Sequence, residues 1–218
     1  MSTFTCPSTV PNVPNMNCSV KYGQIQKIAF QRLGHPFTDE EILTKAQWFA
    51  YLAAIDETKL VITPFVEAPE ADGGDERTFG SGNEVRDGIE YIMGINPVKM
   101  TFALRRYPQI IIKALKVLCK IQDLGVYFFT GDGNVIGLRE EDDVISPIPI
   151  RAMFVGDLLL HGIAQPDRNT LSFRFKQNYS DNLVVVHPDF DIINELYNID
   201  MTIGNGSFSL AFNVDFDV

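Results

Sequence analysis

Between Asn96 and Leu138 the hydrophobic and polar positions change period twice. Val98, Met100, Phe102 and Leu104 alternate with Lys99, Thr101, Ala103 and Arg105, the period of a half-buried strand. Tyr107-Pro108 intervenes, and from Gln109 to Gln122 the spacing predicts a helix, with Pro108 at its first position, where a missing N–H costs nothing. Ile111, Leu115, Leu118 and Cys119 fill one stripe of that helix, and Lys113, Lys116 and Lys120 fall on the opposite one. One face should therefore pack on a sheet while the other meets solvent or a partner. Val126 to Thr130, the turn residues Gly131-Asp132-Gly133-Asn134, and Val135 to Leu138 complete the unit as a hairpin.

The pattern extends outward on both sides. Residues 1–19 hold Pro7, Pro11 and Pro14 with Asn12, Asn15 and Asn17 and show no apolar face, which predicts an extended arm. Val20 to Phe30 alternates as a first strand. Thr38 to Ile55 reads as a helix opened by a Thr38–Glu41 capping box, with Ile42, Ala46, Phe49 and Ala53 on its core face and Trp48 and Tyr51 flanking it. Lys59 to Phe65 is a short β-branched strand. Glu67 to Asn83 combines Pro69, four glycines and the acids Glu67, Glu70, Asp72, Asp75 and Glu76 and reads as a long irregular loop, either solvated or reaching a neighbouring subunit.

Glu84 to Ile95 is expected to be a strand with an irregularity at Gly88, and Arg139 to Asp143 a solvated loop. Strands are predicted over Ile148 to Val155, Leu158 to Ile163, the alternating Leu171, Phe173 and Phe175, and Leu183 to Val186. A turn is placed at Gln165 to Asn169, and one or two helical turns capped by Asp189 should follow. Phe208, Leu210, Phe212, Val214 and Phe216 give a final amphipathic strand, suited to closing a sheet or adding to a neighbour's edge. About ten strands and two helices without a βαβ rhythm predict a mainly β (α+β) fold, an antiparallel β-sandwich or barrel-like core. The expected organisation is an arm over 1–19 and one β-rich domain over 20–218.

Composition narrows this reading little. The 218 residues are 45% hydrophobic and 21% charged, ordinary globular values, and 16 phenylalanines favour strands. A net charge of −10 argues against tight binding to phosphate backbones and permits DNA to pass without being trapped. Cys6, Cys18 and Cys119 lack metal-site spacing and leave an odd one in any disulfide scheme, so reduced thiols are expected. The N-terminal residues do not read as a signal peptide and no stretch has the length of a membrane span. A soluble chain made in the cytosol is expected.

Candidate chemistry is sparse. His35, His161 and His187 have no second ligand at metal spacing. Gly80-Ser81-Gly82 lacks the frame of a nucleophile elbow, and a hydrolytic site would require Ser81, His161 or His187 to meet a carboxylate in a pocket. Asp132-Gly133-Asn134 lacks the remainder of a calcium loop, and the glycine pairs lack a phosphate-loop lysine or helix. No catalytic residue, metal or cofactor is expected. The features left are charged surfaces: Lys113, Lys116 and Lys120 on the helix, either a solvated face or a match for Glu70, Asp72, Asp75 and Glu76, with Arg77 beside them, on an adjacent copy.

Lys21-Tyr-Gly-Gln-Ile-Gln-Lys-Ile-Ala-Phe30, Phe37-Thr-Asp-Glu-Glu-Ile-Leu43 and Val61-Ile-Thr-Pro64, with Gly156-Asp157 and Pro188-Asp189 further on, resemble virion structural proteins of phages of gut bacteria, including crAss-like phages. The order of elements is similar to that of tail tube and related ring proteins of tailed bacteriophages. The resemblance implies a non-enzymatic virion protein, assembled in the host bacterial cytoplasm, that forms rings of six or more copies stacking as a tail tube or collar segment. Its partners would be copies of itself, neighbouring virion proteins and DNA as passing, non-specific cargo, with no membrane. The helix over Thr38 to Ile55 exceeds what a minimal tube subunit requires and leaves open a collar ring, or a capsid auxiliary or host-surface binding role.

Overall fold

The computed structural model describes residues 22–79, 91–105, 107–140, 142–160 and 167–196. The predicted arm, the Gly88 irregularity and the C-terminal strand lie outside these residues. In chain order the elements are β1 (Ile25–Arg32), β2 (Phe37–Thr38), α1 (Lys45–Ala53), β3 (Leu60–Ile62), β4 (Glu67–Asp72), β5 (Glu76–Phe79), β6 (Tyr91–Ile95), β7 (Lys99–Arg105) and α2 (Gln109–Leu118). There follow β8 (Leu124–Thr130), β9 (Val135–Arg139), β10 (Val144–Ser146), β11 (Ile148–Val155), β12 (Arg168–Phe175), β13 (Leu183–Val186) and α3 (Ile192–Glu195). The described residues thus carry three helices where two were expected.

Eleven strands form one antiparallel sheet whose main path is β2-β10-β9-β8-β11-β12-β7-β4, with β1 and β3 added beside β8 and β13 beside β9. Strand β11 turns the sheet over on itself. Its first residues, Ile148 and Pro149, pair with Val126 and Gly125 of β8, whereas Ile150 to Val155 pair with β12 across a register shift. The result belongs to the expected sandwich or barrel-like class.

Strand β8 is buried at all seven positions. Leu124, Val126 and Phe128 point into a core shared with Ile28 and Phe30 of β1, Phe102 and Leu104 of β7, Leu171, Phe173 and Phe175 of β12, and the inner face of α2. Phe173 stacks on Phe102 with centroids 5.6 Å apart and meets Phe30 edge-on at 6.3 Å. Tyr127 and Phe129 point the other way, into a second core with Ala29, Leu60, Ile62, Trp48 and α3. A strand walled on both faces explains a continuous apolar run in place of alternation.

Trp48 centres the second core. Its ring lies 4.4 Å from that of Phe37, 5.7 Å from Tyr127 and 5.5 Å from Phe129, and its Nε1 donates to the Ile42 carbonyl at 2.9 Å. This corrects the helix expected over Thr38 to Ile55. The capping box forms, with Thr38 N–H donating to Glu41 Oε2 at 2.9 Å and Glu41 N–H to Thr38 Oγ1 at 3.3 Å, but it closes only a turn. The Ile42 carbonyl that would continue a helix is taken by the indole, and α1 begins at Lys45. Because the start is displaced, the buried face of α1 is Trp48 and Leu52, with Phe49 and Tyr51 packed beside them, whereas the predicted Ala46 and Ala53 are exposed.

Other boundaries shift for local reasons. β1 begins at Ile25, with a register shift between Ile25 and Lys27. Leu158 to Ile163 is not a strand over its described part, which holds a single bridge from Leu159 to Arg168. Arg168 and Asn169, placed in a turn by composition, open β12. β13 is half-buried throughout, because it pairs only with β9. Helix α3 is capped by Asp191 in place of Asp189: its carboxylate accepts from the N–H groups of Ile193 at 3.1 Å and Asn194 at 3.0 Å.

Lys27 holds the other end of α3. Lys27 is buried; its ammonium donates to the carbonyls of Ile193 and Leu196, the latter at 3.2 Å, and lies 4.8 Å from the Phe65 ring centroid. These are the unpaired carbonyls of a helix C-terminus. Burial lowers the Lys27 pKa, partly offset by the Asp191 charge.

Trp48→Ala is expected to cost about 3–5 kcal/mol, read as a lowered urea midpoint with an unchanged slope. The hydrogen bonds from Asn194 hold the Asp191 carboxyl below its usual 3.8. Its contribution is therefore complete above that value and lost as pH falls through the lower, folded-state pKa. Asp191→Asn should flatten the acid limb of the stability–pH profile.

Candidate assembly interface

The acidic stretch expected to be a loop is mostly strand. Glu67–Asp72 pairs with β7 as the edge of the sheet, with Glu70 opposite Thr101 and Asp72 opposite Lys99. An edge strand charged on its outer positions and solvated on both faces has no apolar period, so its sequence reads as loop. Its carboxylates discourage unwanted edge pairing. Glu67 is held by an ion pair with Arg105 at 2.9 Å.

Gly73 and Gly74 then turn the chain out of the sheet, with φ of +97° and +85°. A Cβ on Gly73 would sit 2.6 Å from the Pro97 carbonyl oxygen, so position 73 needs glycine for both its backbone angle and its close approach. Asp75 lies in this turn; Glu76 and Arg77 open β5. Strands β5 and β6 form a separate two-stranded ribbon, with Glu76 opposite Ile95, Arg77 opposite Gly94, Thr78 opposite Ile92 and Phe79 opposite Tyr91. Its base is fixed by Gly74 N–H donating to the Asn96 carbonyl at 3.1 Å, Asn96 N–H to the Asp75 carbonyl at 2.9 Å, and Gln177 Nε2 to the Ile95 carbonyl at 2.9 Å.

The ribbon is anchored at its base and uncovered along its length. Phe79, Tyr91, Ile92, Met93 and Ile95 are all exposed, Ile92 by 70%. Since directly opposed residues share a face, the Phe79–Tyr91 pair lies on one side and Ile92, beside Thr78, on the other. Two strands alone are marginally stable in water, and a contiguous apolar surface marks an interaction site. Sequence reasoning read Glu84 to Ile95 as a strand but did not separate it from the main sheet; the missed signal is Tyr91-Ile92-Met93, an apolar run too short for a walled strand and without a partner run of equal hydrophobicity.

The lysine stripe divides. Lys113 and Lys120 are exposed; Lys113 shares the outer stripe of α2 with Ile110 and Val117, and Lys120 follows in the turn after the helix, so that apolar and basic positions alternate at intervals of three and four. Lys116 is turned aside to form an ion pair with Asp157 of the same chain, which correspondingly holds the Asp157 carboxyl below the usual carboxylate range. Lys116 therefore has an acidic partner within its own chain, beside the neighbour's acids expected for it. Asp157 lies in the segment after β11, where Leu158 and Leu160 are exposed, as is Phe154 near the end of β11. Cys119 is a free, half-buried thiol whose pKa is raised by burial.

An open groove of about 860 Å³ lies at α3, lined by Gln26, Asp132, His187, Asp189, Asp191 and Glu195 among others. His187 Nδ1 is 2.9 Å from Asn134 Oδ1, an amide partner that does not activate an imidazole as a carboxylate would. Ser81 and His161 lie outside the described residues. Among the described residues no group of three or more His, Cys, Asp or Glu is placed to hold a metal ion, and no helix is long and apolar enough to cross a membrane. No protein-family model and no curated protein matches the chain.

Gly73→Ala should cost about 1–3 kcal/mol through backbone strain and loosen the ribbon base, seen as faster amide exchange over Tyr91 to Ile95 than in the wild-type chain.

Proposed function

We propose that the chain is a non-enzymatic structural protein that assembles with copies of itself into rings, stacking as a phage tail tube or a tail or collar segment through which DNA passes. The observation that carries this reading is the β5–β6 ribbon: five large apolar side chains on a rigidly based projection that no described part of the same chain covers. The double-walled core around β8 supplies a rigid body from which such a projection can act. The virion setting rests on the sequence resemblance given above, and the net charge of −10 suits a conduit that repels DNA instead of binding it. A subunit of this kind needs no cofactor.

Assembly through a head-to-tail contact closes a ring when the rotation between neighbours divides a full turn. Sedimentation velocity and negative-stain imaging of the full chain over a range of concentrations should show closed multimers of one size and stacks of them. A chain that remains monomeric at the highest concentration contradicts the proposal, and a compact trimer would point to a capsid auxiliary instead. Ile92→Ser with Met93→Ser should abolish the multimers while changing monomer stability by no more than about 0.5 kcal/mol.

A further inference from the structure

We infer that the β5–β6 ribbon of one copy docks on the outer face of α2 of the next, so that two different patches of this chain recognise each other. The inference rests on the self-assembly reading and specifies its contact. The first patch is the apolar ribbon with Asp72, Asp75 and Glu76 at its base, carboxylates without an ion-pair partner among the described residues. The second is the outer stripe of α2, Ile110, Lys113 and Val117, carried on by Lys120 in the turn just past its end. Each combines exposed hydrophobic side chains with charge, and the charges are opposite.

Their placement explains why one copy does not satisfy both. The chain passes from the ribbon through Asn96 into β7, and Lys99 at that end pairs with Arg174; at the far end Arg105 pairs with Arg168, which also bridges to Leu159, and α2 follows. Seven residues of extended chain span roughly 20 Å. The two patches thus sit at opposite ends of β7, the arrangement of a heterologous, head-to-tail contact in place of a two-fold one. The helix is seated on its own subunit by Ile111, Ile112, Leu115 and Leu118, Lys116 is paired with Asp157, and Lys113 and Lys120 remain for the neighbour. On an acidic chain, a basic stripe interleaved with valine and isoleucine is matched by that chain's own acidic, apolar ribbon.

Two charge-reversed variants of the full chain test this contact. One carries Asp75→Lys and Glu76→Lys; the other carries Lys113→Glu and Lys120→Glu. All four side chains are exposed, and circular dichroism should show both variants folded. Each alone faces like charge at every contact and should assemble at least about tenfold more weakly than wild type. Mixed in equal amounts, they offer opposite charges at every junction and should form multimers in which they alternate, with assembly of the mixture weakening as salt is raised. Assembly of the helix variant alone at wild-type strength overturns the inference and leaves self-assembly standing, because it means the ribbon pairs elsewhere. Failure of the mixture to assemble overturns it as well. A wild-type chain that is monomeric throughout overturns the underlying reading and this contact together.

Discussion

The burial of β8 on both faces sets the terms for the rest of the structure. Once Leu124, Val126 and Phe128 commit to one side and Tyr127 and Phe129 to the other, two separate coverings are required. The sheet supplies the first by folding over at β11, bringing β7, β12 and α2 onto one face. The turn at Ile42, α1 and α3 supply the second. Each covering layer leaves an outer surface, and the features discussed for assembly lie on the first of them.

The two layers are held by different means. The β7–β12 side is an aromatic and aliphatic core with little polar content, tolerant of small shifts. The α1–α3 side depends on specific polar bonds at helix ends: the Trp48 indole on the Ile42 carbonyl, Asp191 at the start of α3, and Lys27 at its end. Tyr127 joins them from the strand, its hydroxyl donating to the Ile145 carbonyl at 3.0 Å, with burial pushing the phenol pKa well up. Unmade polar bonds in such a place cost more than the made ones contribute, so this layer specifies one arrangement.

How much was readable in the sequence followed from where each segment's constraint lies. Lys99 to Arg139 was legible in outline, because α2 and β7 each bury one face and β8 and β9 join through Gly131 to Asn134, where Gly133 has a φ of +77°. The Thr38–Glu41 box was read correctly as chemistry and wrongly as a helix start, since only the fold shows that Trp48 claims the Ile42 carbonyl. The edge strand at Glu67 was hidden because solvated edges carry no period. Of the candidate interface residues, Glu70 and Asp72 fall on the edge strand, Asp75 in the turn after it, Glu76 and Arg77 on the ribbon, Lys113 on the outer face of α2 and Lys120 just past its end. Lys116 meets Asp157, in the segment after β11, within its own chain.

In the proposed assembly another copy covers the ribbon. Amide hydrogen exchange over Tyr91 to Ile95, followed at high and low protein concentration, measures that cover directly. The account predicts slow exchange in the concentrated sample and fast exchange on dilution, while β8 stays protected in both. Equal exchange of the ribbon at the two concentrations would contradict it.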